Sequence, residues 1–171
     1  MEFINIICED NIGLTMDNKQ HKITFQILKK NISNFNKIKY LCVNKLNELY
    51  NPKYPFFFVN VKNLVNHINF DIEQDANCIN VKLHSNNIYK LKFVNMSQFP
   101  IFYVCYSDEL LATIINIILE KYENCVFGKF MHNDIQLKNS MKINSLNFKN
   151  NEINEIKYLL SKESIIDYSS T

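Results

Sequence analysis

The chain has 171 residues, 47% of them hydrophobic, and a formal net charge of +2. This length is enough to bury a substantial core, so we expect one domain over residues 1–171 with a frayed tail at 167–171. Every basic residue is a lysine, and so small a net charge gives no argument for nucleic-acid binding by itself. The two glycines cannot build a GxGxxG or Walker loop, which argues against nucleotide hydrolysis.

The cysteines indicate the cellular compartment. The five of them are widely spaced and form no CxxC pair, which is typical of reduced, mostly buried thiols in an intracellular protein. The N-terminus lacks a basic start and a cleavage site, and the longest apolar run is too short to span a bilayer. We therefore expect a protein of the cytoplasm and nucleus that contacts no membrane.

The N-terminal half predicts two strands followed by a helix. Gly13 lies in the turn between the strands and is free to adopt positive φ, and Ser33 or Asn34 is available as the N-cap of the helix. The helix places its apolar residues at i, i+3 and i+4 spacing. The predicted elements are a strand at 2–8, a strand at 22–28 and a helix at 31–50.

The C-terminal part continues this alternation of strands and helices. Ser107 is expected to cap the second-last helix, with Asp108 and Glu109 in its first turn. The predicted elements are a strand or turn at 55–61, a helix at 62–74, a strand at 81–93, a central strand at 101–106, a helix at 107–123, two short strands at 125–137 and a helix at 150–165. No internal repeat is visible. The order predicts an α/β or α+β domain with a mixed sheet layered with amphipathic helices.

Catalytic and metal-binding residues are sparse. Cys78 with His84, or Cys125 with His132, would supply parts of a nucleophile and its base, but such spacings arise freely in a chain with this many cysteines and histidines. His67 and Asp71 are spaced i, i+4, which a hydrogen bond on a helix surface explains as well as a metal site. We expect no enzyme activity, no cofactor and no metal.

The lysines form two sequence clusters. Lys82, Lys90 and Lys92 are expected on the outward face of the strand at 81–93, and Lys37 and Lys39 lie near the start of the first helix. If both clusters lie on one side of the molecule, they can hold an RNA backbone. If they do not, they are ordinary solubilising lysines.

Several segments, in order over most of the chain, resemble one known family. In "ITFQILKKNISNFNKIK", Ile32, Asn34, Ile38 and Lys39 match its opening pattern, although Phe35 stands where alanine is preferred. "PFFFVNVKNLVNHINFDIEQ", "LHSNNIYKL" and "INEIKYLLSKE" are similar to later parts, whereas the short helix expected around "KFVNMSQF" is missing. The family is the small kinase-binding subunit of the KEOPS complex, which makes threonylcarbamoyl-adenosine on tRNA.

This resemblance implies a non-catalytic accessory subunit that binds a small kinase-ATPase and helps to place tRNA for modification. It implies partner contacts on two predicted helices, at Leu64, Ile68, Ile156 and Leu159. The alternative is an adaptor or assembly-chaperone subunit that binds only protein, for instance a longin-like one.

Overall fold

The computed structural model describes residues 1–14, 21–32, 34–50, 56–58, 61–121, 128–150 and 152–160, and the tail predicted to fray lies outside them. They form an α+β fold, as predicted. The strands are β1 (Phe3–Asp10), β2 (His21–Leu28), β3 (Phe56–Phe58), β4 (Asn69–Gln74), β5 (Cys78–His84), β6 (Ile88–Val94), β7 (Ile101–Tyr106), β8 (Gly128–His132), β9 (Ile135–Gln136) and β10 (Ile153–Leu160). The helices are α1 (Phe35–Tyr50), α2 (Val61–His67) and α3 (Leu111–Lys121). Within the described ranges, no helix has the length and hydropathy of a bilayer span.

The strands form two mixed sheets where one was expected. Sheet 1 has the order β2-β1-β5-β4, and sheet 2 has the order β3-β7-β6-β10-β8-β9. In sheet 1, β5 lies parallel to β1, and the other neighbours are antiparallel. In sheet 2, β10 lies parallel to β6 and β3 lies parallel to β7.

The two sheets repeat one topology, although the sequence shows no repeat. Each begins with an antiparallel hairpin, β1–β2 or β6–β7, which is followed by a helix, α1 or α3. The last strand of each, β5 or β10, then inserts parallel to the first strand of the hairpin, with an antiparallel strand, β4 or β8, on its other side. This is the arrangement called a β-grasp. We call residues 3–84 the first repeat and residues 88–160 the second repeat.

Buried side chains form two clusters that sheet 2 separates. The first cluster joins one face of sheet 1, α1 and α2 to Ile88, Phe102 and Val104 of sheet 2. The second cluster joins the opposite face of sheet 2 to α3. Strands β6 and β7 therefore send alternate side chains into both clusters, which explains the continuously apolar sequence at 101–106 and confirms its prediction as a central strand.

Local signals at turns and caps are confirmed. Gly13 has a φ of 74°, as its position in the first turn predicted. Asn34 caps α1, because its side-chain oxygen accepts a hydrogen bond from the backbone N–H of Asn36 at 3.0 Å. The predicted pair of short strands near the C-terminus is β8–β9, joined by Asn133 and Asp134, both with positive φ.

The predicted C-terminal helix at 150–165 is wrong, because residues Ile153–Leu160 form strand β10. Its inward residues are Asn154, Ile156 and Tyr158, which alternate strictly. Because the inward residue Asn154 is polar, the apolar residues of this segment taken alone follow a helical spacing. The alternation typical of a strand is therefore not visible in the sequence. The buried side-chain amide of Asn154 donates hydrogen bonds to the carbonyls of Lys90, Lys149 and Glu152.

Two further boundaries differ from the predictions. The helix predicted at 62–74 ends at His67, and its second half is strand β4. The strand predicted at 81–93 is two strands, β5 and β6, which belong to different sheets and are separated by residues 85–87. Sheet 1 is covered on one face, whereas the β6 part of sheet 2 is covered on both, and this affects the lysines predicted to lie outside.

Candidate binding surfaces

The two cysteine–histidine pairs considered above as nucleophile and base are not found together within the described residues. Cys78 and His84 lie six residues apart on one strand, a separation of about 20 Å. Cys125 lies outside the described residues. Within the described ranges, no three His, Cys, Asp or Glu side chains are grouped to hold a metal ion.

The other proposed polar pair is also separated. His67 stacks on the ring of Tyr106, with ring centroids 4.2 Å apart and an angle of 3° between the planes. Asp71 lies on β4 and contacts His84, with 2.9 Å between Nε2 and Oδ2. His67 therefore serves the contact between the two repeats, because α2 belongs to the first repeat and Tyr106 to the second.

Buried thiols are poor nucleophiles in this fold. A hydrogen bond with Cys42 and burial both raise the pKa of the Cys8 thiol. Burial raises the pKa of Cys105 well above its ordinary value, with a further contribution from Glu109. Since the thiolate is the reactive form, neither residue is suited to attack a substrate.

A buried carboxyl group lies between β7 and α3. Glu109 is 4% exposed, and its oxygens accept hydrogen bonds from the Tyr103 hydroxyl at 3.0 Å and the Tyr106 backbone N–H at 3.4 Å. Burial raises its pKa to about 7, although both hydrogen bonds act in the opposite direction. The predicted position of Glu109 in a first helical turn is wrong, because α3 begins at Leu111. This carboxyl is buried, and its hydrogen bonds connect the segment just before α3 to the end of β7.

Asp10 and Lys90 form the polar contact in the interface between the repeats. Asp10 ends β1 and is 0% exposed, and its Oδ1 accepts hydrogen bonds from the backbone N–H groups of Ile12 and Gly13, both at 2.9 Å. Burial raises the pKa of Asp10, while these N–H donors and the positive charge of Lys90 lower it. A methyl group added to Gly13 would lie 2.7 Å from Lys90 Nζ, so the lysine reaches from β6 to this turn.

This geometry corrects the predicted position of Lys90. The side chain was expected on the outward face, but it is 1% exposed and points into the first cluster. The reason is that β6 belongs to sheet 2, which is covered by a buried cluster on each face, so side chains of both parities are buried. Lys90 therefore cannot contact RNA in this fold, and a charge reversal there would report on folding.

Lys82 is exposed as predicted, but acidic groups flank it. It lies on the face of sheet 1 opposite the helices, between Glu9 of β1 and Asp71 of β4 in the strand register. Lys22 of β2 is opposite Glu9 on the other side. The four side chains form a row of alternating charge across sheet 1, which is a solvated surface with little net potential.

The remaining predicted RNA contacts lie elsewhere. Lys37 is exposed near the start of α1. Lys39 places its ammonium 5.4 Å from the centroid of the Phe70 ring, on the helix-covered side of sheet 1. Lys92 belongs to sheet 2, and its Nζ lies 3.9 Å from Oε2 of Glu155. The two lysine clusters therefore do not converge on one surface.

Three of the four predicted partner contacts belong to the protein's own core. The buried residues are Leu64, Ile68 and Ile156. Leu64 of α2 and Ile68, which directly follows this helix, pack into the first cluster, and Ile156 packs from β10 against α3, so none is available to a partner. Leu159 is 43% exposed, because it lies on the opposite face of β10.

Strand β2 offers a surface that sequence reasoning missed. It is eight residues long, and in the described part of the chain no strand pairs with its outer edge. The other sheet edges are protected: β4 carries Asp71 and Glu73, β3 has three residues and β9 has two. The sequence predicted the strand but not its position, because sheet order depends on pairing between distant segments.

A groove runs beside this edge. It has a volume of about 430 Å³ and is lined by Ile23, Thr24, Phe25, Lys45, Glu48 and Leu49. Strand β2 supplies one wall, and the end of α1 supplies the other. Leu49 is 48% exposed. Lys45 and Glu48 form an ion pair beside it, with 3.3 Å between Nζ and Oε2. We call this surface the edge groove. It lies beside a sheet edge with which no described strand pairs, and its apolar lining residues are Ile23, Phe25 and Leu49.

No protein family matches the chain, and no curated protein matches it significantly.

Proposed function

We propose that this chain is a non-catalytic binding subunit that holds an extended segment of a protein partner along β2. One observation carries the proposal: β2 is a long sheet edge beside an apolar groove, whereas the other edges are short or charged. Unpaired N–H and C=O groups on such an edge bind an extended chain, and a groove beside it accepts side chains. The separation of the candidate catalytic residues is consistent with this role.

Between the two hypotheses drawn from the sequence, the protein-binding adaptor has more support than placement of tRNA. Lys90 is buried, Lys82 lies between two acidic residues, and Lys39 lies on the other side of sheet 1. A backbone-binding surface needs several cations on one side. The narrower hypothesis, a KEOPS subunit that binds a small kinase-ATPase, depends on the sequence resemblance alone and is retained as a proposal for the partner's identity.

A pair of leucine substitutions tests the proposed surface. Leu49→Lys places a charge in the edge groove, and Leu159→Lys is a matched control on β10 with similar exposure. We expect Leu49→Lys to weaken retention of the native partner by about tenfold, because an apolar contact is replaced by a charge. The control is expected to retain the partner. The measurement is affinity purification of the tagged chain from its native organism, with quantitative mass spectrometry.

The same experiment separates the alternatives. Equal loss of the partner in both variants, or loss only in Leu159→Lys, would contradict the proposed surface. Recovery of RNA that declines steeply with salt would favour the tRNA hypothesis. Recovery of a small kinase-ATPase that depends on Leu49 would support both the surface and the KEOPS assignment.

A further inference from the structure

The second repeat carries its own example of strand addition. Its strand β7 occupies the position that β2 occupies in the first repeat, since each is the second strand of its hairpin and lies outside the first strand. In the second repeat, the outer edge of this strand is covered by β3. The backbone register pairs Phe56 with Phe102, Phe57 with Tyr103 and Phe58 with Val104, in parallel orientation. The same fold therefore binds a short apolar segment at this edge.

The equivalent edge in the first repeat has no such strand among the described residues. From this difference between the repeats, and building on the proposed function, we propose that the partner contributes a short apolar segment that pairs with β2 in parallel, as β3 pairs with β7. Its N-terminus lies near His21 and its C-terminus near Leu28.

The two faces of sheet 1 define the side chains of this segment. Alternate residues of an added strand point to opposite faces. On one side they enter the edge groove, against Ile23, Phe25 and Leu49. On the other side they lie beside Gln26, which is exposed. The partner segment therefore has apolar side chains at alternate positions and tolerates polar residues between them.

A second copy of this chain fits the edge less well. Two β2 strands related by a twofold axis would pair antiparallel, because an isologous contact brings the same strand against itself in reverse. That orientation differs from the example at β7. Dimers detected by sedimentation, with their contacts at β2, would identify this occupant and overturn the proposal.

The test uses the full chain and a synthetic peptide with the sequence of residues 54–60, "YPFFFVN", which includes the β3 strand. The amide signals of ¹⁵N-labelled protein are followed during titration. A nitroxide label is placed at the N-terminus of the peptide in one experiment and at its C-terminus in another. We expect saturable shifts along β2, with the N-terminal label broadening Lys22 and Ile23 and the C-terminal label broadening Ile27 and Leu28.

The controls separate this inference from the proposed function. Leu49→Lys is expected to weaken peptide binding by about tenfold, and Leu110→Lys, a leucine that is 42% exposed and lies outside the edge groove, is expected to leave it unchanged. The reverse broadening pattern would overturn the parallel orientation and leave strand addition at β2 intact. Shifts confined to β7 would overturn the inference, because the peptide would then be displacing β3. If no peptide binds but partner retention depends on Leu49, the inference fails and the proposed function stands.

Discussion

Replacing Asp10 with alanine is expected to lower the free energy of unfolding by about 3–5 kcal/mol. The substitution removes a buried carboxylate that lies near Lys90, a lysine that is itself 1% exposed, and with it the attraction between the two buried charges. It also removes the acceptor for the N–H groups of Ile12 and Gly13. Urea denaturation at neutral pH, followed by circular dichroism, measures the loss.

Two controls identify the cause of this loss. Glu9 is the preceding residue and faces the opposite side of the strand, so Glu9→Ala is expected to cost less than about 1 kcal/mol. The double variant Asp10→Ala with Lys90→Met is expected to recover much of the lost stability, because no buried charge remains. If the double variant loses the sum of the two single losses, Asp10 and Lys90 are not coupled and this explanation is wrong.

The stability of the protein is expected to fall as pH rises from about 4.5 to about 7, in part through Glu109. Its pKa is raised from 4.5 to about 7 in the fold. In this window the folded carboxyl keeps its proton and the unfolded one loses it, so the folded state binds more protons and stability decreases with pH. At about 1.4 kcal/mol per pKa unit, the contribution is roughly 3 kcal/mol. Above pH 7 this contribution is constant.

Glu109→Gln isolates that contribution. Glutamine keeps an oxygen that accepts the Tyr103 hydrogen bond, but it does not titrate. Denaturation midpoints of both proteins across pH 4.5–8 are compared, so that other titrating groups, including Asp10, cancel. We expect the wild type to lose stability relative to the variant between pH 4.5 and 7. Parallel curves for the two proteins would contradict a raised pKa at Glu109.

The sequence predicted most elements correctly where the regular spacing of apolar side chains was not interrupted by a buried polar residue. Residues 22–28 are an example. Residues 101–106 were predicted from a continuous apolar run, and Asn34 identified the start of α1. The prediction of the C-terminal strand failed because its inward position 154 is an asparagine, whose side-chain amide bonds backbone carbonyls, including that of the distant Lys90. The repeated topology was invisible because it depends on which strands pair, and corresponding strands share no sequence pattern.

The candidate site was less predictable than the fold. The prediction for Lys90 treated residues 81–93 as one strand with a solvent-exposed face, whereas Lys90 lies on β6, which is covered on both faces by distant segments. Lys82 was placed correctly, but its acidic neighbours come from other strands and depend on register. The edge groove needs both the sheet order and the approach of α1, so no local pattern indicated it.

Hydrogen–deuterium exchange of the β2 backbone amides, with and without the native partner, tests the central claim most directly. An added strand forms hydrogen bonds with amides on the outer edge of β2, so we expect these amides to exchange more slowly in the complex. The amides of β4 and β9, at other sheet edges, are expected to exchange at unchanged rates. New protection at those edges or on the helices, with β2 unaffected, would contradict binding by strand addition at β2.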